Sequence, residues 1–167
     1  MRRALPRLLA LLLCSVTSPL DAALTSTFQV SATVVAGCLV EGGASNYGSL
    51  DFGSYSALST SSVTTALGGT TVTLQCTPGV NLSMSVDAGQ NSASGTRNLK
   101  RSSGSSLVAY QLFRDAGFSQ SLGINQCVPV SYSNPAIIKL PVYARAQLTG
   151  NLPAGNYTDV VQVVLTF

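Results

Sequence analysis

The sequence predicts an all-β sandwich, and three observations carry that expectation. β-Branched and aromatic residues recur in short runs that alternate apolar with polar; Gly, Pro, Ser and Asn punctuate those runs; and no stretch of useful length shows the apolar period of an amphipathic helix. The composition agrees, with 46% hydrophobic residues, 9% charged and 15 glycines. β-Branched side chains suit a pleated, half-buried surface, whereas a disordered chain would carry more charge and fewer apolar groups. A length of 167 residues fits one domain. About seven or eight strands at regular spacing point to the immunoglobulin-like kind of sandwich.

Taken in order, the first strand is expected over 27–40, "TFQVSATVVAGCLV", followed by "YGSLDFGSYS" (47–56). "TTVTLQCT" (70–77) puts Val72, Leu74 and Cys76 on one face, and "NLSMSVDAG" (81–89) does the same with Leu82, Met84 and Val86. Residues 91–106 read as a polar loop or hairpin, and Arg97, Lys100 and Arg101 as its solvated basic tip. "LVAYQLFRDAG" (107–117) is a strand closed by a turn. "INQCVPVSY" and "IIKLPVYARAQL" follow, where Pro129 and Pro141 suggest edges or bulges. "NYTDVVQVVLTF" (156–167) is the last strand, with Tyr157, Val161, Val163, Leu165 and Phe167 on one face.

The first residues are excluded from the fold. Arg2, Arg3 and Arg7 precede an apolar run from Leu8 to Cys14, and small residues Ala22 and Ala23 come later. This is the pattern of a secretory signal peptide over 1–23, cleaved after Ala22 or Ala23. The run is shorter than the ~20 residues that span a bilayer. Leu13 stands before Cys14 where a lipoprotein signal wants a small residue. The mature chain then carries six bases (Arg97, Lys100, Arg101, Arg114, Lys139, Arg145) against five acids (Glu41, Asp51, Asp87, Asp115, Asp159), a balance of +1. The pI near 8.8 comes mostly from the leader and gives no argument for nucleic acid binding.

Cys38, Cys76 and Cys127 remain after cleavage. An exported chain of this size usually pairs its cysteines. Cys38 and Cys76 each sit in or beside a strand-like run, so these two are expected to bond, leaving Cys127 unpaired within the subunit.

The ends of the mature chain suggest how it works. Phe28, Val30, Ala32 and Val34 alternate with Gln29, Ser31 and Thr33, giving a strand with one apolar face ahead of Cys38. At the other end Val161, Val163, Leu165 and Phe167 belong to a strand still running where the sequence stops. One scheme joins the two: a sandwich short of one strand, filled by the leading strand of another subunit through β-strand addition. Periodicity alone fits equally well with residues 27–36 folding back as the first strand of their own domain.

Catalysis finds no constellation. The chain has no histidine, which removes Ser-His-Asp, Cys-His and His-based metal sites. The cysteines lack zinc-site spacing. The acids are scattered, so a glycosidase pair would have to be assembled in space. Asp51, Asp87, Asp115 and Asp159 are expected to hold turns. No Gly-rich stretch opens a helix as a phosphate loop does. The six tyrosines could line a sugar-binding face, but alternation places several in the core.

Six fragments in order carry a resemblance over nearly all of the mature chain. They are the alternating run ending in Gly37-Cys38, "LDFGSY" (50–55), "VTLQCTPG" (72–79), "VDAGQN" (86–91), "VAYQLFRDA" (108–116) and "GNYTDVVQVVLTF" (155–167). The chain resembles the spore coat protein U family, which includes subunits of archaic chaperone–usher pili. The resemblance implies an incomplete immunoglobulin-like sandwich over 37–167, completed by donor-strand complementation, with 24–36 as the donor segment. It favours the donor reading of 27–36 and agrees with a Cys38–Cys76 bond; Cys127 matches no motif of the family. It implies neighbouring subunits of the same or related chains, a periplasmic chaperone and an outer-membrane usher as partners. It implies export through the periplasm to a surface pilus that supports attachment and biofilm formation, and no cofactor. A tip or surface adhesin of the same fold is the alternative.

Overall fold

The structure is a computed structural model and describes residues 29–43, 47–67 and 73–167. The expected signal peptide, residues 24–28 with Phe28 among them, and Val72 lie outside the described residues. The chain divides after Val34. Of the first part, residues 29–34 form no strand and are exposed.

Among its described residues the second part holds ten short strands: β1 (Cys38–Val40), β2 (Ser62–Ala66), β3 (Leu74–Cys76), β4 (Leu82–Val86), β5 (Arg97–Arg101), β6 (Leu107–Phe113), β7 (Val128–Val130), β8 (Tyr143–Gln147), β9 (Tyr157–Thr158) and β10 (Val163–Thr166). Glu41–Gly43 form one 3-10 turn. β2-β8-β6-β5-β9 make a five-stranded sheet, β10-β4-β7 a three-stranded one and β1-β3 a pair. Every pairing between named strands is antiparallel. Leu74 and Ile138 exchange both backbone hydrogen bonds at 2.9 Å, which extends β3 into the chain that precedes β8.

The two larger sheets meet through the faces that alternation marks as apolar. Leu82, Met84 and Val86 of β4 are buried, as are Val108, Tyr110 and Leu112 of β6 and Ala144 and Ala146 of β8. Their polar neighbours face outward, as a period of two requires. This is an all-β immunoglobulin-like sandwich.

Cys38 lies opposite Cys76 in the β1–β3 ladder, and the two are bonded. Cys127 is free and exposed. The bond closes a sequence separation of 38, worth roughly 4 kcal/mol by loop-closure entropy. Replacing both cysteines by Ala is expected to lower stability by about that amount in urea unfolding, and replacing Cys127 alone by Ser is expected to change it by less than ~0.5 kcal/mol.

Four sequence expectations are corrected, and one strand was not foreseen. Of the strand expected over 27–40, the described part is regular only at 38–40, where β3 supplies a partner. A strand exists by its ladder, and alternation alone does not make one. Residues 47–56 form no strand; Gly48 and Gly53 take positive φ of 116° and 87°, and the Gly53 N–H donates to Asp51 Oδ1 at 2.8 Å. The run 156–167 is two strands: Tyr157 belongs to β9 against β5, whereas β10 pairs with β4 in the other sheet. The strand β2 was not foreseen, because Val63 is its one fully buried residue in a Ser- and Thr-rich run.

The last correction is chemical. Residues 91–106 contain β5, which pairs with β6 as the expected hairpin, but Arg97 is 4% exposed and not part of a solvated tip. Its Nε donates to the Asp87 carbonyl at 2.8 Å, Nη1 to Leu122 at 2.7 Å, and Nη2 to Val86 at 2.9 Å and Gly123 at 3.2 Å. Five donors on a planar fork meet four backbone acceptors from two segments, a task lysine cannot perform. Burial holds the Arg97 pKa below its ordinary value. Removing the guanidinium orphans several buried carbonyls, each worth about 1–3 kcal/mol. Arg97→Met is therefore expected to cost ~3 kcal/mol or more in thermal unfolding, and Arg97→Lys to recover only part of it.

Candidate functional site: a groove along the last strand

β10 is an edge strand. It pairs with β4 on one side, and its other side meets no strand among the described residues. Beside it the sandwich is open. A cavity of about 690 Å³ runs between the 160–164 backbone and the segment from Tyr47 to Phe52. Its floor is the core itself: Met84 and Val86 of β4, Leu112 of β6, Ala144 of β8, and Leu140 and Val142. Each of these floor side chains is itself buried, none more than 9% exposed. Phe52 meets the Tyr110 ring edge-on at 6.5 Å, which fixes the far wall to the five-stranded sheet.

Of the residues expected along the groove in the last strand, Val161 and Val163 line it and are half-buried. Leu165 is half-buried against the same core. Phe167 lies past the end of β10 and is 60% exposed. Of the expected donor residues, Val30 is 82% and Val34 87% exposed, Ala32 is exposed, and Phe28 lies outside the described residues. Leu50, Phe52 and Tyr110 were not foreseen at the site. The sequence places Leu50 and Phe52 in a strand over 47–56 and Tyr110 in one over 107–117, and nothing in either run points to a groove.

One end of the groove is polar. Tyr110 Oη donates to Asp159 Oδ2 at 2.7 Å, and Asp159 Oδ1 accepts from the Asn91 backbone N–H at 3.1 Å and its Nδ2 at 3.0 Å. Asp87 Oδ1 accepts from the N–H of Gln162 and of Gly89, both at 2.9 Å. Asp115 accepts from the N–H of Ser119 and Gln120, which holds its carboxyl below the ordinary range. The four aspartates thus accept hydrogen bonds, Asp51 and Asp115 within turns, Asp87 both within its turn and from Gln162, and Asp159 across elements. Among the described residues no three His, Cys, Asp or Glu side chains come together as a metal site.

Burial, and then the hydrogen bond to Asp159, raise the Tyr110 phenol far above its ordinary value. A group whose folded pKa is raised contributes stability that is complete below its unfolded pKa, about 10 for tyrosine, and is lost as pH rises beyond it. Tyr110→Phe is expected to cost about 1 kcal/mol at neutral pH and to flatten the fall in melting temperature above pH ~10. Parallel melting curves for the two proteins across that range would contradict the assignment.

The fold has relatives among solved structures. A chain of the CsuC–CsuE chaperone–tip adhesion subunit pre-assembly complex, from archaic chaperone–usher Csu pili of Acinetobacter baumannii, superposes with a TM-score of 0.50 at 20% identity. The match covers 81% of this chain and 40% of that one, so the chain spans less than half the length of this neighbour. A chain of a chaperone–tip adhesin complex of CFA/I fimbriae superposes with a TM-score of 0.45 at 16% identity, covering 78% of this chain and 41% of that one. No curated protein matches in sequence. The family model of the Spore Coat Protein U domain matches residues 24–164, from the alternating segment ahead of Cys38 into β10. The chain belongs to the spore coat protein U domain family.

Proposed function

We propose that the chain is a structural subunit of an archaic chaperone–usher pilus and polymerises by donor-strand exchange. The groove along β10 carries this reading. It is an apolar slot of about 690 Å³ beside a free strand edge, and it has the form that a further strand would fill. The occupant is residues 24–36 of a neighbouring subunit. Their apolar face (Phe28, Val30, Ala32 and Val34) enters the slot, and their backbone bonds to β10 on the side lined by Val161 and Val163. Burying three large side chains and one Ala contributes very roughly 5–9 kcal/mol before ordering costs. Exposure of Val30 and Val34 in the chain itself suits a segment meant for another molecule.

In this reading the domain is 37–167, the segment 24–36 is the donor, and 1–23 is removed on export. A periplasmic chaperone covers the groove until an outer-membrane usher exchanges it for the next subunit's segment. The polymer stands on the cell surface, where it supports attachment and biofilm formation, and the chain performs no catalysis. Likeness to a chain from a chaperone–subunit complex of archaic pili supports this. The test is assembly by the mature chain, followed by light scattering and electron microscopy, with synthetic peptide 24–36 added in excess. Linear polymers whose growth the peptide stops are the expected result; a chain that stays monomeric and ignores the peptide would overturn the proposal.

A further inference from the structure

The "VDAGQN" run at 86–91 grips the one stretch of chain that leads into the groove's edge strand. Between β9 and β10 the chain crosses from one sheet to the other over residues 159–162. A crossing of this kind has no ladder of its own to hold it. The 87–91 loop supplies substitutes at almost every position. Asn91 Nδ2 donates to the Thr158 carbonyl at 3.1 Å and to Asp159 Oδ1 at 3.0 Å. The Asn91 N–H donates to Asp159 Oδ1 at 3.1 Å. The Gln90 N–H donates to the Val160 carbonyl at 3.1 Å. Asp87 closes the far end, its N–H donating to the Gln162 carbonyl at 3.0 Å and its Oδ1 accepting the Gln162 N–H at 2.9 Å.

Gly89 makes the close approach workable. Its φ is +77°, a region that favours glycine, and a Cβ placed there would stand 2.1 Å from Asp159 Oδ2. The loop is itself anchored to the core, because Arg97 holds the Val86 and Asp87 carbonyls. Asp159, Val160, Val161 and Gln162 all line the groove. The bonds therefore reach groove-lining backbone from the β4 side and leave the side facing the slot to an incoming strand.

We propose that the 87–91 loop is a clamp that holds the groove's edge backbone in strand-accepting position before any strand arrives, with Asp87 and Asn91 as its positioning residues. This rests on the donor-strand reading above. An edge already fixed in extended form loses little further freedom when a strand pairs with it, so capture is faster. Without the clamp, 159–162 would sample other conformations, and each arriving strand would have to order it beside the part of the edge that β4 already holds.

The test uses the full-length mature chain carrying Val30→Asp, which disables its own segment and leaves its groove to a fluorescent peptide of residues 24–36. On that background, Asp87→Ala removes the acceptor for Gln162, Asp87→Asn keeps an acceptor oxygen there, and Asn91→Ala removes two side-chain bonds at a half-exposed position. Peptide association is expected to slow about tenfold in Asp87→Ala and Asn91→Ala and to stay near the parental rate in Asp87→Asn. Amide hydrogen exchange should quicken across 159–162 and stay unchanged in β6 and β8. Uniform loss of protection over the whole domain, with association unaltered, would reduce the loop to a general stabiliser and overturn the clamp. If the parental chain itself takes no peptide, the donor-strand reading fails, and the exchange pattern alone decides whether the loop holds 159–162.

Discussion

Val30→Asp is expected to abolish polymer formation while leaving the subunit's own domain folded. Val30 is 82% exposed in the chain and sits in a segment that forms no strand of its own. A carboxylate there therefore meets water until assembly is attempted. On entering a neighbour's groove, it forfeits the ~1.5–3 kcal/mol of an apolar anchor and adds the desolvation of a charge against Met84, Val86 and Leu112. A combined loss above ~4 kcal/mol weakens the junction about a thousandfold. Ser31→Asp, one position on, points away from the slot and is expected to assemble nearly as the parent does. Light scattering compares the polymers, and circular dichroism confirms the fold. Equal assembly by both variants, or unfolding by Val30→Asp, would show that 27–36 is an ordinary strand of its own domain.

The second large effect lies on the receiving side. Val163→Asp places a charge on the groove wall at a half-buried position that faces the cavity. In the unfilled groove the new carboxylate reaches water through the open slot, so the domain is expected to lose only about 1–2 kcal/mol. Against an apolar donor face it would be buried without a partner, and acceptance should fall at least a hundredfold. Thr166→Asp is the control. Thr166 is exposed on the same strand, does not line the cavity, and by alternation faces away from Val163 and Leu165. It is expected to accept a strand with less than tenfold loss. The check is binding of the labelled 24–36 peptide to each variant in the Val30→Asp background.

Alternation made most of the sandwich readable before the structure. Leu82, Met84 and Val86 face the core as the pattern requires, as do Val108, Tyr110 and Leu112. Cys38 and Cys76, each placed on a strand, lie opposite each other. What the pattern hid has physical causes. Arg97 looks like surface by residue type, yet it is buried because four carbonyls converge on its guanidinium, and such a convergence exists only in three dimensions. β2 carries too few apolar side chains to stand out. The break between Tyr157 and Val163 is invisible to periodicity, because both halves keep one phase while the chain changes sheets. The groove was legible as a last strand with an apolar face, but its opposite wall was not. Leu50 and Phe52 reach it from a segment with no regular structure, placed by Gly48 and Gly53.

The central claim is that one chain donates a strand and another receives it, and mixing two variants tests this directly. The Val30→Asp chain keeps a sound groove and has a spoiled donor; the Val163→Asp chain keeps a sound donor and has a spoiled groove. Each alone is expected to remain monomeric. Mixed in equal amounts, they should form a one-to-one complex and nothing larger, because the junction between them uses up the one sound donor and the one sound groove. Sedimentation velocity measures the masses. A heterodimer is the predicted result; two unmixed monomers, or polymers of any length, would contradict the account.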